Sequence, residues 1–309
     1  MHSVSPKLAP WLAGFNRQVA IRVASGFTPT AAVAREALAS ITRSLVPAGP
    51  PVAHVADGTV RRAGVPVRVY HTAPGEARPV IVFFHGGGHM AGSVEVYDPI
   101  CRRLAAATHH CVVSVDYRLA PEHPYPAGLA DADAAARGVW EVLDAQQLPY
   151  RHELTLAGDS AGGALAATIA ARAQFDASLH VDRQVLIYPS LDYTLGQPSV
   201  DENGSDYFLD KQRAAWYFEH YFRRGENRRT ASPLFGDFTT RLPRTLMVTA
   251  GFDPLRDEGL SYLDQLAEVG VPAEHLHFDD MIHAFLNMEA LVSDECKETY
   301  AAIGRFVNA

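Results

Sequence analysis

Gly158, Asp159, Ser160, Ala161 and Gly162 stand in a row between an apolar run, 154–157, and an alanine-rich run, 164–173. This pattern predicts a strand that turns sharply into a helix, with Ser160 on the turn and its hydroxyl projecting alone above a sheet. The flanking glycines have a mechanical reason. Such a turn leaves no room for β-carbons and forces the serine into a strained backbone conformation. A serine hydroxyl held this way can attack an acyl carbon. A plain tight turn could carry the same five residues, so the chemistry must be sought in what accompanies them.

Upstream, residues 79–84 read as a continuous buried strand running directly into His85, Gly86, Gly87 and Gly88. Three consecutive glycines let the main chain swing its N–H groups toward one point, where the negative oxygen of a tetrahedral intermediate can sit. A flexible glycine loop is the plainer reading. A phosphate cradle fails, because the lysine and spacing of a P-loop are absent.

Serine is a poor nucleophile until a base takes its proton, and the base needs a carboxylate behind it. His180, His220, His275, His277 and His283 follow Ser160. His283 lies just past the last strand-like run, in a loop expected at the same sheet edge as the serine turn. His275 and His277 alternate along that run and should point to one sheet face. His180 precedes a strand, and His220 lies in a helical aromatic stretch. For the acid, residues 244–251 read as a buried strand, and Asp253 occupies the turn after it. Asp257 is better explained as a helix-dipole partner in the next helix. Asp279 and Asp280 are too close to His283 in sequence to sit behind its ring.

These residues resemble the hormone-sensitive-lipase-like carboxylesterases, in the branch whose serine motif reads GDSAGG. The resemblance covers most of the chain and rests on five motifs in order: 85–88 (HGGG), 116–123 (DYRLAPEH), 158–163 (GDSAGG), 232–234 (SPL) and 253–259 (DPLRDEG). It implies an α/β-hydrolase fold, a mostly parallel eight-stranded sheet with helices on both faces and a helical cap. It implies Ser160, Asp253 and His283 as catalytic residues and the N–H groups of Gly87, Gly88 and Ala161 as the oxyanion hole, with Gly86 shaping the loop. The expected activity is hydrolysis of short- to medium-chain acyl esters through an acyl-enzyme. An amidase, deacetylase or lactonase using the same residues is the alternative. A non-catalytic binding protein is a further rival, because plant gibberellin receptors resemble this family but lack the histidine. A homodimer through the last strand, near residues 273–278, is also implied.

Two positions depart from the family pattern. Ala284 follows the histidine where glycine is usual; if positive φ is needed there, alanine costs energy, and a local adjustment of the loop is expected. His89 follows the third glycine, where an aromatic or aliphatic residue is usual. It is expected to face solvent, with substrate contact as the alternative. In the proline-rich stretch 118–126, Asp116, Arg118 and Glu122 are expected to pair with one another and hold a loop beside the site.

The chain has 309 residues, 48% of them apolar, enough for one large core with an added lid. A net charge of −8 argues against a nucleic-acid surface. The pairs Arg223–Arg224 and Arg228–Arg229 read as a solvated turn. Cys101, Cys111 and Cys296 have neither disulfide nor metal spacing, which fits a cytoplasmic setting. No secretory signal, membrane span, metal site or organic cofactor is expected. His85 with His89 lacks the helix that a zinc motif needs, and His275, His277 and Asp279 are more simply a strand.

The supporting elements follow from periodicity. Two helices are expected before residue 45, the first with Trp11, Phe15, Val19 and Ile21 on its apolar face. Apolar runs at 65–70, 79–84, 111–115, 154–157, 184–188, 246–249 and 275–278 alternate with helical patterns, as in a parallel sheet covered on both faces. The expected organisation is cap helices in 1–50, hydrolase core in 51–194, a cap insertion in 195–230 and core again in 231–309. Tyr207, Phe208, Trp216, Tyr217 and Phe218 make the insertion aromatic, with a helix near 210–222.

Overall fold

Apolar runs of four to seven residues, too short for helices and bounded by turns, become strands because burying both faces requires their backbone groups to pair with neighbours. The computed structural model describes residues 3–309. In chain order it comprises α1 (Ala9–Ala24), α2 (Ala31–Leu45), β1 (His54–Val60), β2 (Val65–His71), β3 (Arg78–Phe84), α3 (Asp98–Thr108) and β4 (Cys111–Val115). There follow α4 (Ala127–Ala145), β5 (Tyr150–Asp159), α5 (Ala161–Ala173), β6 (Arg183–Ile187), α6 (Pro198–Glu202), α7 (Lys211–Tyr221) and α8 (Arg228–Ala231). The chain closes with β7 (Arg244–Phe252), α9 (Arg256–Glu268), β8 (Ala273–Ile282) and α10 (Ser293–Val307).

The sheet order is β1-β2-β4-β3-β5-β6-β7-β8. Pairings β1–β2 and β2–β4 are antiparallel and all others parallel. Register pairs Phe84 with Gly158, Asp159 with Ile187, Ile187 with Val248, and Phe252 with Ile282. The loops after β3, β5, β7 and β8 therefore leave the sheet at one edge, where open α/β sheets build their sites.

Alternate strand residues feed two cores. Val80, Val82 and Phe84 pack with α4, α5 and α9, while Ile81 and Phe83 pack with α3 and α10. The alternation explains why these strands read as unbroken apolar runs. Leu8 and Leu12 of the N-terminal segment are buried in the second core.

Local chemistry places the ends of the outer helices. Thr30 caps α2 by accepting from the Val33 N–H, and Asp210 caps α7 by accepting from the Arg213 N–H at 2.6 Å. Trp11, Phe15 and Val19, spaced four apart, share one face of α1. Ile21 does not join them: two residues past Val19 it turns outward and is 61% exposed. Strand β1 has no counterpart among the expected runs. It is an edge strand carrying Asp57, whose partner across the pair is Arg68, so charge pairing replaces the apolar signal.

Candidate active site

Ser160 sits between β5 and α5 with φ +53° and ψ −119°, the strained turn expected of its glycine setting. Its N–H donates to the Ile187 carbonyl at 2.9 Å, and its carbonyl accepts from the Ser190 N–H at 3.1 Å. The backbone is thus over-determined from two sides. A β-carbon at Gly162 would collide with the Phe84 carbonyl, and one at Gly158 with Gly162 itself. Those contacts account for glycine at both positions.

The structure brings Ser160, His283 and Asp253 together. His283 Nε2 is 2.9 Å from Ser160 Oγ, and Nδ1 is 2.8 Å from Asp253 Oδ2. A carboxylate only accepts, so Nδ1 carries the proton and Nε2 is left to accept from the serine hydroxyl. Asp253 is held in turn by the Leu255 N–H, which donates to Oδ1 at 2.8 Å. The Asn203 side-chain amide donates to the Asp253 carbonyl at 3.2 Å. Tyr188 packs edge-on against the imidazole at 5.0 Å. All three side chains are buried, which strengthens every charge interaction among them.

Ala284 has φ +60° and ψ +29°, so the loop after the histidine keeps the left-handed conformation a glycine would supply. The expected local adjustment does not occur. The left-handed residue stands directly before the short 3₁₀ segment Phe285–Met288, and alanine carries the strain.

The glycine loop after β3 adopts φ +112° at Gly87 and +63° at Gly88. Among the described residues, the N–H groups of Gly87, Gly88 and Ala161 have no hydrogen-bond partner. Ala161 is the first residue of α5, so the positive end of the helix dipole lies beside Ser160. The Gly86 N–H, by contrast, is taken by Asp159 Oδ1 at 2.7 Å. The other Asp159 oxygen accepts from the Tyr97 hydroxyl at 3.0 Å. Burial pushes the Asp159 carboxyl up to about 6, with the Tyr97 and Gly86 hydrogen bonds opposing it. His85 points away from the site. Its Nδ1 contacts the Gly86 carbonyl at 2.8 Å, its ring stacks on Tyr117, and burial lowers its pKa.

Two expectations for neighbouring residues are corrected. His89 does not face solvent: it is 2% exposed, stacked on Tyr221, and burial pushes its pKa down to about 3. Nor do Asp116, Arg118 and Glu122 pair with one another. Asp116 accepts from the Val94 N–H, Arg118 binds Asp131, and Glu122 binds Arg35 of α2. The loop is tied outward to the Val94 segment, to α4 and to α2. His275 and His277 do share a face, both within 2.7 Å of the Thr249 hydroxyl.

Two buried carboxylates beside the site were given no role in the sequence reading. Asp159 offered a signal, a charged residue between an apolar strand and a tight turn. Glu258 lies in the 253–259 motif, but nothing in that motif announces its burial. It is buried behind the Asp253 loop, where its Oε2 accepts from the Asp192 N–H. Burial first, and then the Asp192 and Asp253 carboxylates, raise it well above the usual carboxylate range.

Above Ser160 opens a cavity of about 560 Å³. Phe15 and Val19 of α1, Leu38 of α2, and Phe208, Trp216 and Tyr217 of the 195–230 segment line it, and it reaches Gly87, Gly88, Ser160 and His283 at its floor. A mostly apolar pocket with a few convergent polar groups is the ordinary form of a small-molecule site. No cluster of metal-ligating side chains is found among the described residues.

A family model described as alpha/beta hydrolase fold matches residues 81–287. The chain belongs to the α/β-hydrolase family. Within it, this α/β-hydrolase falls in the hormone-sensitive-lipase-like group. It is 36% identical over 241 residues to Esterase LipI of Mycobacterium tuberculosis, covering 76% of this chain and 75% of the relative. It is 37% identical over 260 residues to Carboxylesterase NlhH of the same organism, covering 79% of each. Among solved structures, the hyperthermophilic esterase from Pyrobaculum calidifontis superposes with a TM-score of 0.85 at 36% identity, covering 99% of this chain and 100% of that one.

Proposed function

We propose that this α/β-hydrolase is a serine carboxylesterase that cleaves short- to medium-chain acyl esters through an acyl-enzyme on Ser160. The chain is a carboxylic ester hydrolase; what is proposed is its route and its range. The reading rests on one observation above all: the unbroken Ser160–His283–Asp253 chain of hydrogen bonds beside three unspent backbone donors.

His283 Nε2 takes the Ser160 proton as Oγ attacks the ester carbonyl, and Asp253 stabilises the imidazolium that forms. The carbonyl oxygen becomes an oxyanion facing the N–H groups of Gly87, Gly88 and Ala161. Collapse of the intermediate expels the alcohol, which receives the proton from His283. Water then enters, gives a proton to His283 and attacks the acyl carbon; as this second intermediate collapses, His283 returns the proton to Ser160 Oγ and the acid is released.

Residues 1–50 and 195–230 are proposed as a cap over a core of 51–194 and 231–309. Its apolar side chains hold the acyl or alcohol portion and keep water from the oxyanion. The exposed edge of β8, at residues 273–278, is the proposed contact of a homodimer. Three buried free cysteines support a cytoplasmic setting. No helix among the described residues is long and apolar enough to cross a membrane.

The test is the initial rate on p-nitrophenyl esters from acetate to palmitate, for the wild type and Ser160→Ala. Turnover on short and medium chains, reduced about 10⁴-fold or more in the variant at unchanged thermal stability, supports the reading. Turnover that survives in Ser160→Ala overturns it. Absence of Ser160-dependent hydrolysis on every chain redirects it to amides, lactones or binding alone.

A further inference from the structure

His89 is used by no step of the proposed chemistry, yet it is one of the most constrained residues near the site. Its ring lies face to face with Tyr221, the last residue of α7, with centroids 3.8 Å apart and planes 5° apart. Its Nε2 is 3.0 Å from the hydroxyl of Tyr193, just before the 195–230 segment. Its carbonyl accepts from the Ala120 N–H at 2.9 Å. Its backbone is left-handed, φ +59°, a conformation that an L-residue keeps only where its surroundings impose it.

One turn earlier on α7, Tyr217 covers Gly88 so closely that a β-carbon there would lie 2.5 Å from the ring. Tyr217 and Tyr221 are four residues apart and so share one face of the helix. That face grips two consecutive residues of the glycine loop. The ring of His89 also leaves its Nδ1 buried without a partner. Stacking alone would be served at lower cost by a phenyl ring. What the imidazole adds is the Nε2 bond to Tyr193.

We propose that His89 is a positioning residue that latches the oxyanion loop to α7 and Tyr193, so that the Gly87 and Gly88 donors hold their aim only while α7 is seated. The proposal rests on the reading of those two glycines as oxyanion donors. Donors act only when held about 2.7–3.1 Å from the developing oxyanion, and a run of glycines has no side chains with which to hold itself there. The same helix supplies Trp216 and Tyr217 to the cavity. A substrate that seats α7 from inside the cavity therefore tightens the hole beneath it, joining recognition to chemistry.

The experiment compares wild type, His89→Ala, His89→Phe, Tyr221→Leu and the His89→Ala/Tyr221→Leu pair on p-nitrophenyl acetate, whose acyl group is too small to need the cap. His89→Ala is expected to lower kcat about 10- to 100-fold, the scale of a misplaced catalytic group, with KM within about twofold. His89→Phe, which keeps the stack on Tyr221 but loses the Tyr193 bond, should recover only part of that loss. The paired variant should fall no further than its worse single, because both break one latch. Thermal unfolding of each variant separates lost aim from lost fold, and Tyr221→Leu carries the test alone if His89→Ala does not fold. Wild-type kcat in a folded single variant, a loss confined to KM, or multiplicative losses in the pair would overturn the latch. Failure of the esterase reading shows separately, as a wild type without Ser160-dependent turnover.

Discussion

Asp159 joins the two halves of the site: its carboxylate accepts from the Gly86 N–H at 2.7 Å, tying the serine turn to the glycine loop. A second bond, from the Tyr97 hydroxyl, fixes the carboxylate itself. Asp159→Ala frees Gly86 and Tyr97 together. A hydrogen bond to a charged group is worth about 1.5–3 kcal/mol. If that loss appears in the transition state, kcat falls about 10- to 100-fold. Steady-state kinetics on a short ester check this, and unchanged kcat in a folded Asp159→Ala would mean that the loop holds its shape unaided.

Gly88 is covered by Tyr217, which makes the pair a test of close approach. Gly88→Ala meets two obstacles, the ring and a left-handed backbone at φ +63°. The backbone part alone costs about 1–2 kcal/mol. Gly88→Ala is therefore expected to lower both melting temperature and kcat, and adding Tyr217→Ala should restore part of the first. If the second substitution returns nothing, the ring is not the obstacle.

Ala284, next to His283 in the chain, works against its own backbone preference at φ +60°. Ala284→Gly removes a left-handed penalty of about 1–2 kcal/mol but adds about 0.4–1 kcal/mol of unfolded-chain entropy. The net expectation is a gain of about 0–1.6 kcal/mol, read from urea unfolding. A loss of stability would show that the methyl group makes contacts worth more than the strain.

Glu258 makes stability depend on pH. Its folded pKa lies above the ordinary value, so the folded state keeps a proton that the unfolded chain releases near pH 4.3. Stability should fall as pH rises from there toward the folded value, by up to about 1.4 kcal/mol per pH unit. Glu258→Gln removes the titrating group while its amide oxygen can still accept from Asp192. Urea unfolding at pH 5 and pH 8 should show the variant gaining on the wild type at the higher pH. An equal difference at both pH values would clear Glu258 of this role.

The meeting of Ser160, Asp253 and His283 could be read from the chain because each follows an apolar run, and parallel strands deliver their far ends to one edge. The cores were legible for the same reason. What resisted reading depended on partners distant in sequence. The burial of His89 is created by Tyr221 and Tyr193, and nothing near position 89 announces either. Glu122 pairs with Arg35 because α2 folds back over the loop, a contact that no local pattern encodes. Strand β1 was missed because it trades apolar residues for a cross-strand ion pair. Ala284 shows the reverse case: the motif's preference for positive φ is obeyed although the residue usual there is absent.

Cys101, Cys111 and Cys296 are all buried, and burial pushes the first two thiols up to about 12 and raises the third as well. Thiolate is the form that alkylating reagents attack, so the folded molecule offers them almost nothing. The three sulfurs thereby become built-in clocks. Cys111 lies in β4, Cys101 in α3 and Cys296 in α10, so the order in which a maleimide reaches them records the order in which sheet and flanking helices come apart. A single cysteine placed on an exposed position of the 195–230 segment would be labelled by itself, leaving the native three in place and silent.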